Sequence, residues 1–330
     1  MVEGYVLRLS AIFSLIFLVS CAKTDEQIID SAKQEAKYYL SDNNCSKAQK
    51  VLDEAGYQND DAEYLSLYAS MYACKAGYSE FDLLDEVTTI AANSSQLLGS
   101  LTTLGTSNET APDSTSYTNI MNAIDVLLNS AGTSPSATAR ESKFGVTGAT
   151  NLSFQALYLI LVEFGKFLQL YGNTDAAGDK SDGSFTNTCI FTYTQVDAVN
   201  YANTILPTCN SVGGDEGSDF LESPVTDDEI DARLCEGIYL FNNLRDILSN
   251  VTIGNSSTFG SLKDVGDVLD DMIADAESAE SAGLNTEVAY QDSIAAIKTI
   301  TSKSDCEALP RQRLEKWYSI IFETALPDND

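Results

Sequence analysis

The sequence predicts an all-α protein, an irregular helical bundle or solenoid stapled by disulfides. Apolar residues recur at i, i+3 and i+4 through most of the chain, the period of a helix with one buried face. Strand-like alternation is confined to Ile190 to Thr194, which is short. Helix-start signatures, in which Ser or Thr is followed three residues later by Glu or Gln, occur at Thr24/Gln27, Thr226/Glu229 and Ser304/Glu307.

The first helix opens at Thr24 and carries the stripe Ile28, Ile29, Ala32, Ala36, Tyr39 and Leu40. Two more helices, Ser46 to Ala55 and Asp60 to Ala76, flank a turn at Gly56-Tyr57-Gln58-Asn59, with Gly77 as the stop. Their facing residues are Ala48, Val51, Leu52 and Ala55 on one side and Leu65, Tyr68, Ala69, Tyr72 and Ala76 on the other. Counting about 1.5 Å per residue back from the turn brings Cys45 and Cys74 nearly level, so the hairpin predicts a Cys45–Cys74 disulfide. Further helices are expected over Phe81 to Ala92, Tyr117 to Ala131, Asn151 to Tyr171, Gln195 to Leu206, Asp227 to Val251, Phe259 to Ala282 and Asp305 to Ala325. Loops rich in Gly, Ser, Thr, Asn and Asp are expected over Thr102 to Ser116, Ala131 to Ala149, Gly172 to Thr188 and Asn210 to Pro224.

The run Ala156 to Val162 is uncharged, with polar residues before it and Glu163 and Lys166 directly after it. It is too short to cross a bilayer and reads as the buried centre of a bundle. Trp317, the single tryptophan, and Tyr318 are expected to pack the last helix onto that core.

The N-terminus differs in kind from the rest. A short head ending at Arg8 precedes the apolar stretch Leu9 to Val19, which has the length of a signal-peptide core. It closes on Leu18-Val19-Ser20-Cys21, which resembles the bacterial lipobox. That resemblance implies a signal peptide over residues 1–20, cleavage before Cys21, and a lipid (diacylglycerol and palmitate-type acyl chains) on the Cys21 thiol. Residues 21–330 would then form a single extracytoplasmic domain on a short tether at 21–24. Ala22, standing where an inner-membrane retention aspartate would be, implies the outer membrane, facing the periplasm or the cell surface. The plainer alternative is an ordinary secretory signal cut near Ser20.

Of seven cysteines, six remain once Cys21 is set aside, an even number suited to an oxidising compartment. Besides Cys45 and Cys74 these are Cys189, Cys209, Cys235 and Cys306, with proximity favouring Cys189–Cys209 and Cys235–Cys306. With no C-x-x-C and no histidine, structural bonds are favoured over a zinc site.

The hairpin near residues 45–84 also resembles a tetratricopeptide unit, through Ala48, Leu52, Ala55-Gly56-Tyr57, Ala62, Leu65, Ala69, Tyr72, Ala76-Gly77-Tyr78 and Leu83-Leu84. The tryptophan and proline landmarks of that family are missing. Helical lipoproteins that act as the T-component of TRAP-type solute transporters are broadly similar. The resemblance implies a scaffold or ligand-passing role.

Forty-nine Asp and Glu against nineteen Lys and Arg give a formal net charge of −30. Such a field repels phosphate backbones, so nucleic acid is excluded as a partner. Solubility is the simpler account of the charge, and cationic partners the sharper one. Calcium would need the loops bearing Asp175, Asp179, Asp182 and Gly183, or Asp215, Glu216, Asp219 and Glu222. In the first loop Lys180 and irregular spacing oppose a cation. The absence of histidine removes Ser-His-Asp and Cys-His catalysis, and Gly213-Gly214 leads into acidic residues where a phosphate cradle would need Lys. Catalytic residues, metal ligands and cofactors are therefore expected to be none. The expected function is non-catalytic: a membrane-anchored helical binding or scaffold module with a protein or small-solute partner in the envelope. The alternative is a structural or surface-exposed lipoprotein, calcium-assisted.

Overall fold

The computed structural model describes residues 24–78, 97–102, 114–171, 227–250, 257–281 and 292–325, and these are largely helical with no strand among them. The expected helices Phe81 to Ala92 and Gln195 to Leu206, the short strand-like segment and the signal segment lie outside the described residues. Contacts divide the chain into two compact units, Met1–Gln58 and Asn59–Asp330. The expected hairpin takes its first helix from one unit and its second from the other.

In the first unit, α1 (Asp25–Ser41) packs on α2 (Cys45–Ala55). Thr24 caps α1 as its sequence predicts: its hydroxyl accepts from the Gln27 N–H at 3.3 Å, and the Gln27 side chain accepts from the Thr24 N–H at 3.1 Å. The turn between the helices is made by Asn43, whose positive φ of 53° asparagine tolerates, and by Asn44, whose side chain caps α2. Ala32, Ala36, Ala48 and Leu52 are buried. The buried stripe on α1 is narrower than expected: Ile28 is 42 % exposed, while Tyr39 and Leu40 are only half-buried. Small alanines at the contact let the two helices approach closely.

The second unit contains α3 (Ala62–Lys75), α4 (Leu97–Thr102), α5 (Thr115–Leu128), a 3-10 turn (Asn129–Ala131), α6 (Ala137–Tyr171), α7 (Asp227–Asn250), α8 (Ser257–Ser281), α9 (Ser293–Ile297), α10 (Lys303–Glu307) and α11 (Arg311–Ala325). The central helix is α6, which touches α3, α4, α5 and α7; α7 in turn touches α8, α10 and α11. By length and composition Ala137–Gln169 is apolar enough to cross a membrane. Yet Ala156, Leu157, Leu159, Ile160, Leu161 and Val162 sit in the core, as the uncharged run predicts. Glu163 and Lys166 do not bound that run at the surface. Both are buried, because the interior continues through Phe164, Phe167 and Leu168.

α6 also begins earlier than expected, inside the stretch 131–149 read as a loop. Ser136 follows Pro135 and caps the helix, its hydroxyl accepting from the Ala139 N–H at 3.2 Å. Gly145, with φ 70 and ψ 170, then breaks the helical path. The segment before it is held by Arg140, whose Nη1 donates to the Leu128 carbonyl at 3.2 Å, and by Lys143, whose Nζ donates to the Ser130 carbonyl at 2.9 Å. Cations thus meet the carbonyl-rich end of α5, where the helix dipole favours positive charge.

Near the C-terminus, the single helix expected from Asp305 to Ala325 is two. Pro310 has no N–H to donate, so α10 ends before it and α11 restarts on its carbonyl, which accepts from Arg313. The cap is Ser302, whose hydroxyl accepts from the Asp305 N–H at 3.1 Å, not Ser304. Asn242 and Asn243 on α7 clamp the α9–α10 connection by donating to the carbonyls of Ile297, Ile300 and Thr301. The short α4 and α9 have too few turns to show a period in sequence.

An aromatic cluster closes the core. Trp317 is fully buried and meets Phe241 and Phe322 edge-on, both at 5.2 Å between ring centres; Phe164 meets Phe241 and Phe322 in turn. Tyr318 is buried beside Trp317, and its hydroxyl donates to the Leu234 carbonyl at 2.8 Å. α7 and α11 cross at Gly237, where a Cβ would overlap the Tyr318 hydroxyl and the Phe167 ring, so only glycine fits.

Candidate functional site

Two of the cysteines expected by proximity, Cys235 on α7 and Cys306 on α10, form a disulfide with Cα atoms 5.6 Å apart. Cys45 and Cys74, the pair expected from the hairpin count, are both disulfide-bonded cysteines. Cys21, Cys189, Cys209 and the two acidic loops considered for calcium lie outside the described residues. Among the described residues no group of three or more Cys, Asp or Glu side chains is placed to hold a metal ion.

One concave feature of the second unit is a half-open cavity of about 200 Å³ between α3 and α6, lined among the described residues by Ser66, Ser70, Tyr78, Gln155, Tyr158 and Leu159. Its walls follow from helix geometry. Ser66 and Ser70, four residues apart, share one face of α3, and Gln155, Tyr158 and Leu159 share one face of α6. Tyr78 is placed by the end of α3. Gly77 takes φ +77 and donates to the Cys74 carbonyl at 2.9 Å, while the Tyr78 N–H reaches back to Ala73 at 3.0 Å. This pair of bonds reverses the chain through a residue with no Cβ penalty.

Gln155 organises the polar wall. Its amide nitrogen donates to the Ser70 hydroxyl at 2.8 Å and to the Ser66 carbonyl at 3.2 Å, so both of its N–H groups are engaged. Its amide oxygen accepts from the Ser66 hydroxyl at 2.8 Å. Beside Gln155 on the same face of α6 stand Tyr158, which packs near Phe154 at 6.5 Å between ring centres, and Leu159. The lining side chains among the described residues are uncharged.

Tyr78 belongs to the tetratricopeptide-like Ala76-Gly77-Tyr78 and Tyr158 and Leu159 to the uncharged run, while Ser66, Ser70 and Gln155 belong to no motif. For these three, two serines at i and i+4 in the apolar middle of a helix and a glutamine one residue before the buried run are the local signals. Such a signal is shared by any helix pair that hydrogen-bonds across an interface.

A second polar group lies along α7. Tyr117 of α5 donates to Glu236 of α7, and Tyr239 of α7 donates to Asp125 of α5 at 2.7 Å. Lys303 of α10 stands 5.0 Å over the Tyr239 ring and 3.9 Å from Asp125. Burial pushes the Glu236 carboxyl above its ordinary range, against the opposing pull of Lys303 and the Tyr117 hydrogen bond. Burial raises Asp246 too, with Arg140 and Arg245 opposing, and it lowers the buried Arg140. Tyr239 is raised by burial and by Asp125. Glu236 and Asp246 sit on one helix, with about 15 Å of axis between them at 1.5 Å per residue.

No protein-family model matches the chain, and no curated protein and no solved structure is significantly similar to it.

Proposed function

We propose that the chain is a lipid-anchored bacterial envelope protein whose helical domain binds a small solute without transforming it. The anchor rests on the sequence: the apolar stretch Leu9 to Val19 leads into Leu18-Val19-Ser20-Cys21, and Cys21 carries the lipid. Disulfides support an oxidising compartment. The observation that carries the binding reading is the α3–α6 cavity, concave and half-open, lined by the hydrogen-bonded Ser66, Ser70 and Gln155 together with the tyrosines Tyr78 and Tyr158.

Two measurements test the two halves. Palmitate labelling and intact mass of the wild type beside Cys21→Ser, in the native host, are expected to show lipid on the wild type alone; an unlabelled, freely soluble wild type sinks the anchor. For binding, amide and side-chain NMR signals of Ser66, Ser70 and Gln155 are followed while low-molecular-weight envelope extract is added. They are expected to shift in the wild type and stay fixed in Gln155→Leu. If nothing moves in the wild type, the cavity is only the seam between two helices, and the structural-lipoprotein reading takes its place.

A further inference from the structure

We infer that the guanidinium of Arg140 and the carboxyl of Asp246 are joined through ordered water, in a sealed hydration site where α5, the start of α6 and α7 meet. The inference does not depend on the solute-binding reading of the α3–α6 cavity.

Arg140 supplies the donors. Its side chain is 1 % exposed, and its Nη1 donates to the Leu128 carbonyl at 3.2 Å. Nε and Nη2 have no hydrogen-bond partner among the described residues. These two nitrogens form one edge of the planar guanidinium, their N–H bonds side by side, and that edge takes two oxygens at once. Leaving charged donors unpaired in the interior costs more than leaving a neutral one so.

The acceptors stand on α7. Tyr239, Asn243 and Asp246, spaced four and three residues apart, share one face of that helix. Arg140 interacts electrostatically with the outer two, Asp246 and Tyr239, which places its guanidinium along this face. Asn243 lies between them and is 1 % exposed. Its amide nitrogen donates to the Tyr239 and Thr301 carbonyls, while its Oδ1 has no partner among the described residues. Thr301 in turn donates to the Pro135 carbonyl at 3.1 Å, which ties this part of α7 to the start of α6. Asp246 is half-buried and accepts from Asn250 on Oδ1 at 3.0 Å. Two donors on α6 and an acceptor on α7 therefore share one polar junction without bonding to each other.

Charge and burial select the occupant. An anion on the guanidinium edge would meet the Asp246 carboxylate and the carbonyl end of α5, and a cation would meet Arg140 itself. A neutral molecule that accepts from N–H and donates to oxygen meets neither objection. With Arg140 and Asn243 so deeply buried, its size is that of water, which in protein interiors makes about three such bonds. Burial lowers Arg140 and raises Asp246, and each offsets part of the other's shift, as expected of charges close enough to share that water.

A crystal structure of the purified full chain, at a resolution that shows ordered water, reads the site directly. Water is expected within about 3.2 Å of both Nε and Nη2, and bonded onward to Asn243 Oδ1 and Asp246. The same crystals soaked in bromide are expected to show no anomalous signal there. A protein group on the guanidinium edge (the Asp246 carboxylate included), a bromide ion, or no density at all overturns the inference. Solution NMR gives a second reading. The Nε–H proton of Arg140, assigned by its loss in Arg140→Met, should show a nuclear Overhauser effect to water. That effect should persist in Tyr239→Phe and in Thr301→Val, which remove the hydroxyls that could relay it; circular dichroism checks that each variant is folded. An effect that vanishes in either variant, or is missing from the wild type, refutes the water bridge.

Discussion

Lys316 of α11 lies 2.9 Å from Glu280 of α8, with both side chains almost sealed from solvent at 2 % and 3 % exposure. Glu280 has a second task. Its two oxygens accept from the Ser293 and Ile294 N–H groups at 2.8 and 3.1 Å, closing the start of α9. Lys316→Met should therefore destabilise by about 3 kcal/mol, because it leaves a buried carboxylate without its cation. Adding Glu280→Gln should recover part of that loss by removing the charge while keeping an acceptor. Urea denaturation of the two variants measures the difference; a double variant less stable than Lys316→Met alone refutes the account.

Gly237→Ala is expected to cost about 1–3 kcal/mol, the usual range for overpacking a filled core. The obstacle is specific: the Tyr318 hydroxyl and the Phe167 ring occupy the space. Tyr318→Phe alone should lose about 1 kcal/mol with its hydrogen bond to Leu234. Combined, the two substitutions should cost less than their sum, since the second removes the atom the first strikes. Additivity in that double-mutant cycle would show that the close approach is relieved elsewhere.

The Cys235–Cys306 bond closes a loop of 71 residues in sequence separation. Loop-closure entropy puts its contribution at about 4 kcal/mol. Cys235→Ala with Cys306→Ala should lower the urea midpoint accordingly, with little change in the native circular dichroism spectrum. Both sulfurs are buried, so dithiothreitol should reduce the bond slowly unless denaturant is present.

Acid is expected to stabilise this protein over part of its range. Glu236 and Asp246 have carboxyls raised by burial in the folded chain. Each binds its proton more tightly folded than unfolded. Their contribution is complete below the ordinary carboxylate range and is lost as pH climbs through the raised folded values. The charge of −30 acts in the same direction, because protonating surface carboxylates relieves self-repulsion. The melting temperature should therefore rise as pH falls from neutrality toward the carboxylate range. Glu236→Gln, which can still accept from Tyr117, should flatten that rise; a slope unchanged in Glu236→Gln and Asp246→Asn would assign it wholly to surface charge.

What could be read from the sequence was what is encoded locally. The Thr24–Gln27 box, the glycine stop at Gly77 and the buried run before Glu163 each depend on residues within a few positions, and the structure reproduces them. The start of α6 was missed because Gly, Ser and Thr around 131–149 resemble a loop; the segment is helical because Ser136 caps it and Arg140 and Lys143 find carbonyls on another helix. The burial of Glu163 and Lys166 was missed because depth in a bundle depends on which helices surround α6, which periodicity does not report. The cavity was least visible of all. Ser66 and Gln155 are 89 residues apart in sequence, and their juxtaposition exists only once α3 lies on α6.

Gly145 has a consequence for how order is shared along α6. At φ 70 and ψ 170 the chain leaves the helical path, so amide protection cannot spread cooperatively through that point. Residues 137–144 are fastened instead to the end of α5, while residues 146–168 draw their protection from the core. Hydrogen exchange should accordingly resolve one continuous-looking helix into two opening units, the first rising and falling with α5. Gly145→Ala, placing a side chain at a positive φ, should speed exchange in the first unit and leave the second as it was.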